Sequence, residues 1–367
     1  MANALLLLAG LGLLIGGADA LVRGGSRLAA VAGISPLVIG LTVVAFGTSA
    51  PELAVTVKAA TTGAAGMALG NVVGSNIFNV LFILGLSALV APLVVAQRLV
   101  RLDVPLMILL SIGLFLLALD GRIGRLDGLG LCTALLAYMA FLVRQSRREA
   151  AAVRAEYDHA FAPRAHPPRR LATDVALVVG GLALLVLGSR WLVTGAVTVA
   201  LHLGVSELVI GLTIVAAGTS LPEVVTSLVA TVRGERDIAV GNVIGSNLFN
   251  IMGVLGIAAG ITPGGIRVAP ALLRFDIPIM IVVALACLPI FASGARISRV
   301  EGAVLFAYWC AYTLYLVLAA GRHDALPLVS AVLLYFALPL TALTLAFVAL
   351  REWRARRQPA GRRGPQQ

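Results

Sequence analysis

Two glutamates, Glu52 and Glu223, occur in matching contexts within apolar stretches of the sequence. Residues 47–52 read Gly-Thr-Ser-Ala-Pro-Glu, and residues 218–223 read Gly-Thr-Ser-Leu-Pro-Glu. A carboxylate inside hydrocarbon costs about 3 kcal/mol or more, so it needs a partner or a function. Two carboxylates brought together carry two negative charges, which match a desolvated divalent cation. The alternative is a pair of packing carboxylates, each satisfied by a nearby donor.

The residues before each glutamate could supply further oxygen ligands. Pro51 and Pro222 have no amide hydrogen and interrupt the helical hydrogen bonds one turn earlier. We therefore expect free carbonyls within residues 45–48 and 216–219, beside the hydroxyls of Thr48 and Thr219. An all-oxygen site suits hard cations such as calcium and sodium, whereas zinc and copper favour His and Cys. A simple proline kink is the alternative for either helix.

A second repeated motif contributes more polar side chains. Residues 70–79 read Gly-Asn-Val-Val-Gly-Ser-Asn-Ile-Phe-Asn, and residues 241–250 read Gly-Asn-Val-Ile-Gly-Ser-Asn-Leu-Phe-Asn. The glycine spacing is typical of close helix packing. Serine and the last asparagine are four residues apart and share a helix face, so each motif could present neutral oxygens from Ser75 and Asn79, or from Ser246 and Asn250. The remaining asparagines could instead hydrogen-bond between helices: Asn71, Asn76, Asn242 and Asn247.

The elements that carry these motifs must be membrane-spanning helices. The chain has 367 residues, of which 60% are hydrophobic and 12% charged, too few polar residues to cover a soluble domain. Roughly 20 apolar residues span a bilayer as a helix. The apolar stretches predict eleven spans, near residues 3–22, 35–61, 68–95, 103–120, 127–144, 172–194, 206–232, 239–262, 275–293, 300–320 and 326–350.

Both motifs recur at one offset, since 223 − 52 and 250 − 79 both equal 171. Each copy contains five predicted spans, an odd number, so the second copy must enter the membrane from the opposite side. The sequence therefore predicts an all-α polytopic fold with a ten-helix core of two inverted repeats. We expect a first repeat at 1–144, a basic connector at 145–171, a second repeat at 172–320, an additional transmembrane helix at 321–350 and a basic tail at 351–367.

Basic residues predict the orientation of the chain. If the amino terminus is outside, 21 of the 28 Lys and Arg residues fall on the cytoplasmic side, including those of the connector and the tail. We therefore expect a multi-pass protein of the plasma or inner membrane with a cytoplasmic carboxyl terminus. The basic segments lack the aromatic residues of a base-stacking surface, so no nucleic-acid partner is expected. The three cysteines, Cys132, Cys287 and Cys310, have no metal or disulfide spacing.

The paired motifs resemble the alpha repeats of the calcium:cation antiporter superfamily, and most of all its prokaryotic sodium/calcium exchangers. The resemblance implies a ten-helix core around four central cation subsites. It implies that calcium is held by Glu52, Glu223, Thr48 and Thr219. It implies that sodium uses Ser49, Ser75, Ser220 and Ser246 with the carbonyls of Ala45 and Ala216, and that the family's first-repeat asparagine is Asn79.

One position departs from part of the family. The counterpart of Asn79 is aspartate in some archaeal and potassium-dependent members, but here it is Asn250. This difference removes a charge and argues against potassium coupling. The proton-coupled plant and fungal branch is less similar, because its Gly-Asn-Ala-Thr-Glu motif is absent. Asp19 and Arg190 occupy equivalent positions in the two repeats, where they could pair or be solvated separately at the interface.

These observations favour a secondary antiporter that exchanges Ca²⁺ for Na⁺ by alternating access. No nucleotide motif such as a P-loop is present, so we expect no nucleotide partner and no cofactor, and energy from an ion gradient. Calcium/proton exchange through the same glutamates is the alternative. A membrane-embedded enzyme with a glutamate acid and base is disfavoured by the lack of a nucleophile or cofactor motif. A passive channel is disfavoured by the inverted repeats.

Overall fold

The computed structural model describes residues 2–32, 34–157, 168–204, 216–292 and 294–321, and these ranges are almost entirely helical. Within them, eight helices are long and apolar enough to cross a membrane, and one pair of helices bent by 45° could form a ninth span. The chain is therefore a multi-pass helical membrane protein, as its composition predicts. The predicted eleventh span and the basic tail lie outside the described residues. The count of ten core helices stays a prediction.

The first half of the chain contains six helical segments. They are α1 (Ala2–Ala32), α2 (Pro36–Thr48), α3 (Ala50–Thr61), α4 (Gly66–Val90), α5 (Leu99–Asp120) and α6 (Arg125–Tyr157). Helices α2 and α3 are the bent pair, and the chain leaves the helical conformation between them at Ser49, where φ is −81° and ψ is 9°. The break falls two residues before Pro51, because a proline cannot supply the hydrogen bond that would continue the helix.

The second half repeats this order. Its segments are α7 (Pro168–His202), α8 (Ala216–Thr219), α9 (Leu221–Val232), α10 (Arg236–Ile261), α11 (Leu272–Ala292) and α12 (Arg299–Ala320). Ser220 separates α8 from α9 with nearly the same backbone angles, −89° and 8°, just before Pro222. The predicted span at 206–232 is described only from Ala216 onward. Both halves therefore contain a helix that is broken in front of the motif glutamate.

Short π-helical segments occur at matching places in the two halves. The described ones are Gly40–Val44, Asn79–Leu84, Leu99–Asp103, Asn250–Leu255 and Leu272–Asp276. A π-turn widens an α-helix and redirects side chains, and it is frequent at functional sites. Two of these segments begin at Asn79 and Asn250, so the end of each asparagine motif coincides with a change in helix geometry.

Helices α1 and α7 pack along their length through glycines. A Cβ on Gly17 would lie 2.7 Å from the Gly181 carbonyl oxygen, and a Cβ on Gly181 would lie 2.7 Å from the Gly17 carbonyl oxygen. Gly10 and Gly188 make the same mutual approach one heptad away. Only residues without side chains allow the two backbones to come this close.

Two helix ends differ from the sequence prediction. Helix α1 continues to Ala32, well beyond the predicted end at residue 22, because Arg23 and Arg27 on its later turns pair with Asp19 and Asp174. The connector expected at 145–171 is partly helical, since α6 continues to Tyr157 and α7 begins at Pro168. Charged residues at a membrane surface continue a helix without difficulty, so a change in polarity does not mark where the helix ends.

Helices α4 and α10 form the centre of the described structure. In their most apolar stretches 78% and 83% of the residues are buried, against 11–39% for the other six single spans. The asparagine motifs lie on these two helices, so their polar groups are enclosed by protein. A sequence with buried polar groups at membrane depth must satisfy them internally or use them to bind a ligand.

Two antiparallel ladders join the halves of the chain. Strand β1 (Leu93–Val94) pairs with β4 (Arg296–Ile297), and β2 (Arg122–Ile123) pairs with β3 (Ile266–Arg267). The register places Leu93 opposite Ile297 and Ile123 opposite Ile266. Each ladder thus takes one strand from the first half and one from the second.

Candidate cation-binding site

Glu52 and Glu223 lie in the first turns of α3 and α9, directly after the two helix breaks. Each residue is only 1% exposed. The amino-terminal end of a helix carries a partial positive charge, which stabilises a carboxylate placed there. Ser49, three residues before Glu52, hydrogen-bonds to Glu223, and Ser220, three residues before Glu223, hydrogen-bonds to Glu52. Each break therefore supplies a favourable helix end, and the fold brings the two acidic ends together.

Serines from opposite halves hold the two carboxylates. The Ser220 hydroxyl donates to Glu52 Oε1 at 2.7 Å, and the Ser49 hydroxyl donates to Glu223 Oε1 at 2.9 Å. Both serines occupy the breaks in the helices, where the backbone turns their hydroxyls across the interface. The Ser220 hydroxyl also lies 3.4 Å from that of Ser75 on α4. The motif serines are thus part of one continuous polar cluster.

The motif threonines lie beside the same carboxylates. Thr219 is adjacent to the Glu52 carboxylate, and Thr48 is adjacent to that of Glu223. Thr48 Oγ1 also lies 3.1 Å from the Asn242 side-chain oxygen on α10. Ser246 lies near Glu223, although its hydroxyl makes no hydrogen bond of normal geometry with any residue in the described ranges. The fold therefore assembles hydroxyls from both broken helices and from α10 around the glutamates.

Four buried carboxylate and amide oxygens in this region accept no hydrogen bond from the described residues: Glu52 Oε2, Glu223 Oε2, Asn79 Oδ1 and Asn250 Oδ1. Nearly all buried polar atoms in proteins have a partner, so a set of unpaired acceptors requires an explanation. In the described ranges neither glutamate forms an ion pair with a Lys, Arg or His nitrogen within 4.0 Å. The ion pairs found in these ranges are made by aspartates. Two carboxylate and two amide oxygens are ligands that hard cations prefer.

The expected backbone carbonyl ligands are not all free. The Ala45 carbonyl accepts hydrogen bonds from the Ser49 amide at 3.1 Å and from the Thr48 hydroxyl at 3.4 Å. The Gly218 carbonyl, which Pro222 deprives of its helical donor, accepts from the Ser189 hydroxyl on α7 at 2.6 Å. These two carbonyls therefore have hydrogen-bond partners in the described structure, and the role of the Ala45 carbonyl as a cation ligand stays a prediction. The sequence motif gave no signal for Ser189, which lies 29 residues from its partner.

The first asparagine of each motif has a structural role in the described state. Asn71 donates to Thr56 Oγ1 at 2.9 Å and to the Glu52 carbonyl oxygen at 3.3 Å. Asn242 makes the equivalent bonds to Ser227 at 3.0 Å and to the Glu223 carbonyl at 3.4 Å. These bonds attach each asparagine helix to the helix that carries the glutamate.

The possible pair between Asp19 and Arg190 does not form. Asp19 instead pairs with Arg23, four residues later on α1, at 2.9 Å, and with Arg233 after α9. Ser26 adds a hydrogen bond to Glu235 at 2.9 Å in the same region. Equivalent positions in a repeat need not share partners, because the two copies differ in sequence outside the motifs.

The fold and the buried polar cluster define a multi-pass membrane protein with a polar centre, and comparison with known proteins identifies the family. The sequence profile of the family described as "Sodium/calcium exchanger protein" matches residues 2–144 and 173–318. The chain therefore belongs to the sodium/calcium exchanger family, a family of membrane antiporters and not of enzymes. This membership confirms the resemblance seen in the paired motifs.

Several relatives are similar over nearly their whole length. The "Putative antiporter CaxA" of Alkalimonas amylolytica is 41% identical over 310 residues, covering 83% of this chain and 95% of the relative. The "Sodium/calcium exchanger MaX1" of Methanosarcina acetivorans is 33% identical over 345 residues, covering 86% and 98%. A solved structure of the sodium-calcium exchanger NCX_Mj, soaked with zero Na⁺ and Ca²⁺, is similar with a TM-score of 0.71, 31% identity, and coverage of 83% and 96%.

Proposed function

We propose that this chain exchanges Ca²⁺ for Na⁺ by alternating access at a site built around Glu52 and Glu223. The observation that carries the proposal is the reciprocal pair of contacts, in which each buried glutamate is held through one oxygen by a serine of the other half. The second oxygen of each glutamate has no hydrogen-bond partner among the residues that the structure describes. One calcium ion, or sodium ions in its place, would neutralise the two charges, so the two loads compete for the same oxygens.

The proposed ligand sets follow the polar cluster. Calcium would be held by Glu52 and Glu223 with Thr48 and Thr219. Sodium would use hydroxyl oxygens, with the Ala45 and Ala216 carbonyls as further ligands, the first of them once its present hydrogen bonds rearrange. Asn79 and Asn250 would contribute neutral oxygens near the centre. The hydroxyls proposed for sodium are those of Ser49, Ser75, Ser220 and Ser246.

The inverted architecture supports alternating access and is part of the same proposal. We infer a ten-helix core from repeats at 1–144 and 172–320, a connector at 145–171, an additional helix at 321–350 and a tail at 351–367. The amino terminus would be outside and the carboxyl terminus cytoplasmic, which places most arginines inside. The multi-pass fold and the family support a location in the plasma membrane.

Calcium/proton exchange is the second candidate. The unpaired oxygens of Glu52 and Glu223 could accept protons instead of coordinating sodium. Protonation would neutralise each carboxylate separately and would need no serine or backbone ligand. The two candidates therefore differ in whether the hydroxyls around the glutamates affect the driving ion.

The test is calcium uptake into proteoliposomes under an outward sodium gradient, an outward proton gradient or no gradient. We expect uptake with the sodium gradient alone, and its loss in Glu52→Gln and Glu223→Gln. Asp120→Asn, which changes an exposed carboxylate at the last residue of α5, is the matched control and should transport like the wild type. Uptake driven by protons would establish the second candidate. Uptake that needs no gradient, or that survives both glutamine substitutions, would exclude the carrier mechanism.

A further inference from the structure

Four buried asparagines connect α4 and α10 at the centre of the molecule. Asn76 and Asn79 lie on α4, and Asn247 and Asn250 lie on α10. Each is at most 2% exposed. Their side-chain amides bond across the interface in a pattern that is the same in both directions. An asparagine amide can present either an oxygen acceptor or a nitrogen donor, so its orientation decides whether it can bind a cation.

The contacts of Asn247 determine the orientation of Asn79. Asn247 Nδ2 lies 3.4 Å from the Asn76 carbonyl oxygen and 3.4 Å from Met107 Sδ, and both of these atoms can only accept. The nitrogen of Asn247 must therefore face them, which turns its oxygen toward Asn79. Asn79 Nδ2 donates to that oxygen at 3.0 Å. The Asn79 oxygen is thereby directed away from Asn247, and it is one of the unpaired buried acceptors.

The other half contains the same arrangement. Asn76 Nδ2 lies 3.3 Å from the Asn247 carbonyl oxygen and 3.6 Å from Met280 Sδ. Its oxygen accepts from Asn250 Nδ2 at 3.1 Å. Within the described part of the chain, the Asn250 oxygen is left without a hydrogen-bond partner, like that of Asn79. In each half, a backbone carbonyl and a methionine sulfur, which can only accept, fix the orientation of the first amide. That amide then fixes the orientation of the second.

The two oriented asparagines follow the motif serines that lie beside the glutamates. Asn79 follows Ser75 by four residues and shares its helix face. Ser75 contacts Ser220, which is bonded to Glu52. If the Asn79 amide were reversed, its nitrogen would point toward this cluster, where it would donate to oxygens and repel a cation.

We propose that Asn247 and Asn76 are positioning residues that set the amide orientation of Asn79 and Asn250, so that oxygen rather than nitrogen is presented to the transported cation. The proposal rests on the proposed function, in which these oxygens contact the cation. In this proposal Asn76 and Asn247 do not contact the cation and act only through Asn250 and Asn79. Their role would be needed only while the central residues are asparagines, because an aspartate presents oxygen in either orientation.

The test measures calcium binding to the purified full-length protein in sodium-free buffer by isothermal titration calorimetry. Asn247→Ala should weaken binding by about 10- to 100-fold, the usual effect of removing a residue that orients a metal ligand. In the Asn79→Asp background the same substitution should change binding by no more than about twofold, the limit of ordinary additivity. Asn250→Asp is the matched control background, and there Asn247→Ala should keep its full effect, since Asn247 does not orient residue 250.

The possible outcomes separate this proposal from the proposed function. An equal loss in all three backgrounds, or no loss in any, would overturn the positioning role while leaving the glutamate site intact. Calcium binding by Glu52→Gln that equals the wild type would overturn both. Size-exclusion chromatography and thermal unfolding check that the variants fold. If Asn247→Ala does not fold, Met107→Leu removes one orienting acceptor at nearly constant volume. It should weaken binding in the wild type but not in Asn79→Asp, and an equal effect in both would again overturn the proposal.

Discussion

The Ser220 hydroxyl is bonded to the Glu52 carboxylate at 2.7 Å, although the two residues are 168 positions apart and lie in different halves of the chain. Ser49 and Glu223 repeat this relationship at 2.9 Å. Neither carboxylate is held by the serine of its own motif. The motif Thr-Ser-x-Pro-Glu is thus one half of a contact that only the second copy completes, which explains why the copies keep the same residues at the same spacing.

Ser220→Ala should increase the sodium concentration needed for half-maximal calcium exchange by about tenfold, as expected when a metal-site hydroxyl is removed. The calcium requirement should change less, since both carboxylates remain. The measurement is exchange in proteoliposomes over a range of sodium and calcium concentrations. The control is Ser87→Ala, which changes a different buried serine, on α4. It should leave the sodium and calcium concentrations for half-maximal exchange unchanged. Equal changes for the two ions would contradict a specific role in sodium binding.

Gly245→Ala should destabilise the protein, whereas Gly74→Ala at the equivalent position of the first motif should not. A Cβ at Gly245 would lie 2.7 Å from the Leu41 Cα atom and 2.8 Å from the Ala45 Cβ atom, but a Cβ at Gly74 would meet nothing within 4 Å. Overpacking of this kind costs about 1–3 kcal/mol. Thermal unfolding in detergent measures the difference. A similar loss of stability in both variants would show that the two motifs are packed alike.

Tyr138→Phe should destabilise the fold more than Tyr312→Phe. Tyr138 donates to the fully buried Asp103 at 2.8 Å, and Tyr312 donates to the partly buried Asp276 at the same distance. Loss of a hydrogen bond to a buried charged group costs about 1.5–3 kcal/mol, and water can replace the bond where the carboxylate is accessible. The unfolding midpoints of the two variants test the order. A larger loss in Tyr312→Phe would reverse the assignment of the stronger bond.

Arg233→Gln should have only a small effect on stability. Arg233 pairs with Asp19 on α1, but their side chains are 33% and 30% exposed, and Asp19 keeps a second partner in Arg23. Exposed ion pairs of this type contribute about 0–1 kcal/mol. The unfolding temperature should therefore stay close to that of the wild type at low and at high salt. A large, salt-sensitive decrease would show that this pair fastens α1 to the rest of the molecule.

Composition and motif spacing were sufficient to predict a multi-pass helical protein and its family, because long apolar stretches leave few other folds and the paired motifs are specific. The helix breaks before Glu52 and Glu223 could also be anticipated, since proline removes a backbone donor wherever it occurs. The sequence places the two glutamates at equivalent positions. It does not show that Ser49 serves the distant glutamate and not its neighbour.

Other features depend on contacts that no local pattern contains. The Gly218 carbonyl is freed by Pro222 as expected, but whether it stays free depends on Ser189 of another helix. The end of α1 was missed because Arg23 and Arg27 look like a boundary, while their acidic partners allow the helix to continue. From the sequence alone, Asn76 and Asn247 were consistent both with binding a cation and with hydrogen bonding between helices. Only the direction of each amide, set by groups on the opposite helix, distinguishes the two. The membership of each cation subsite, and the choice between sodium and proton, remain predictions.

The reciprocal serine contacts also have a consequence for biosynthesis. Glu52 is inserted with the first half of the protein, yet its serine donor is made 168 residues later. At typical synthesis rates of about 5–20 residues per second, the interval is about 10–30 s. During that time the Glu52 carboxylate lies in the bilayer without its final hydrogen-bond donor. Strands β1 and β2 likewise lack the partner strands β4 and β3, which have not yet been made. A ribosome that stalls after the first half would leave that half unsatisfied in the membrane, recognisable to quality-control proteases by its buried carboxylate and its unpaired strands.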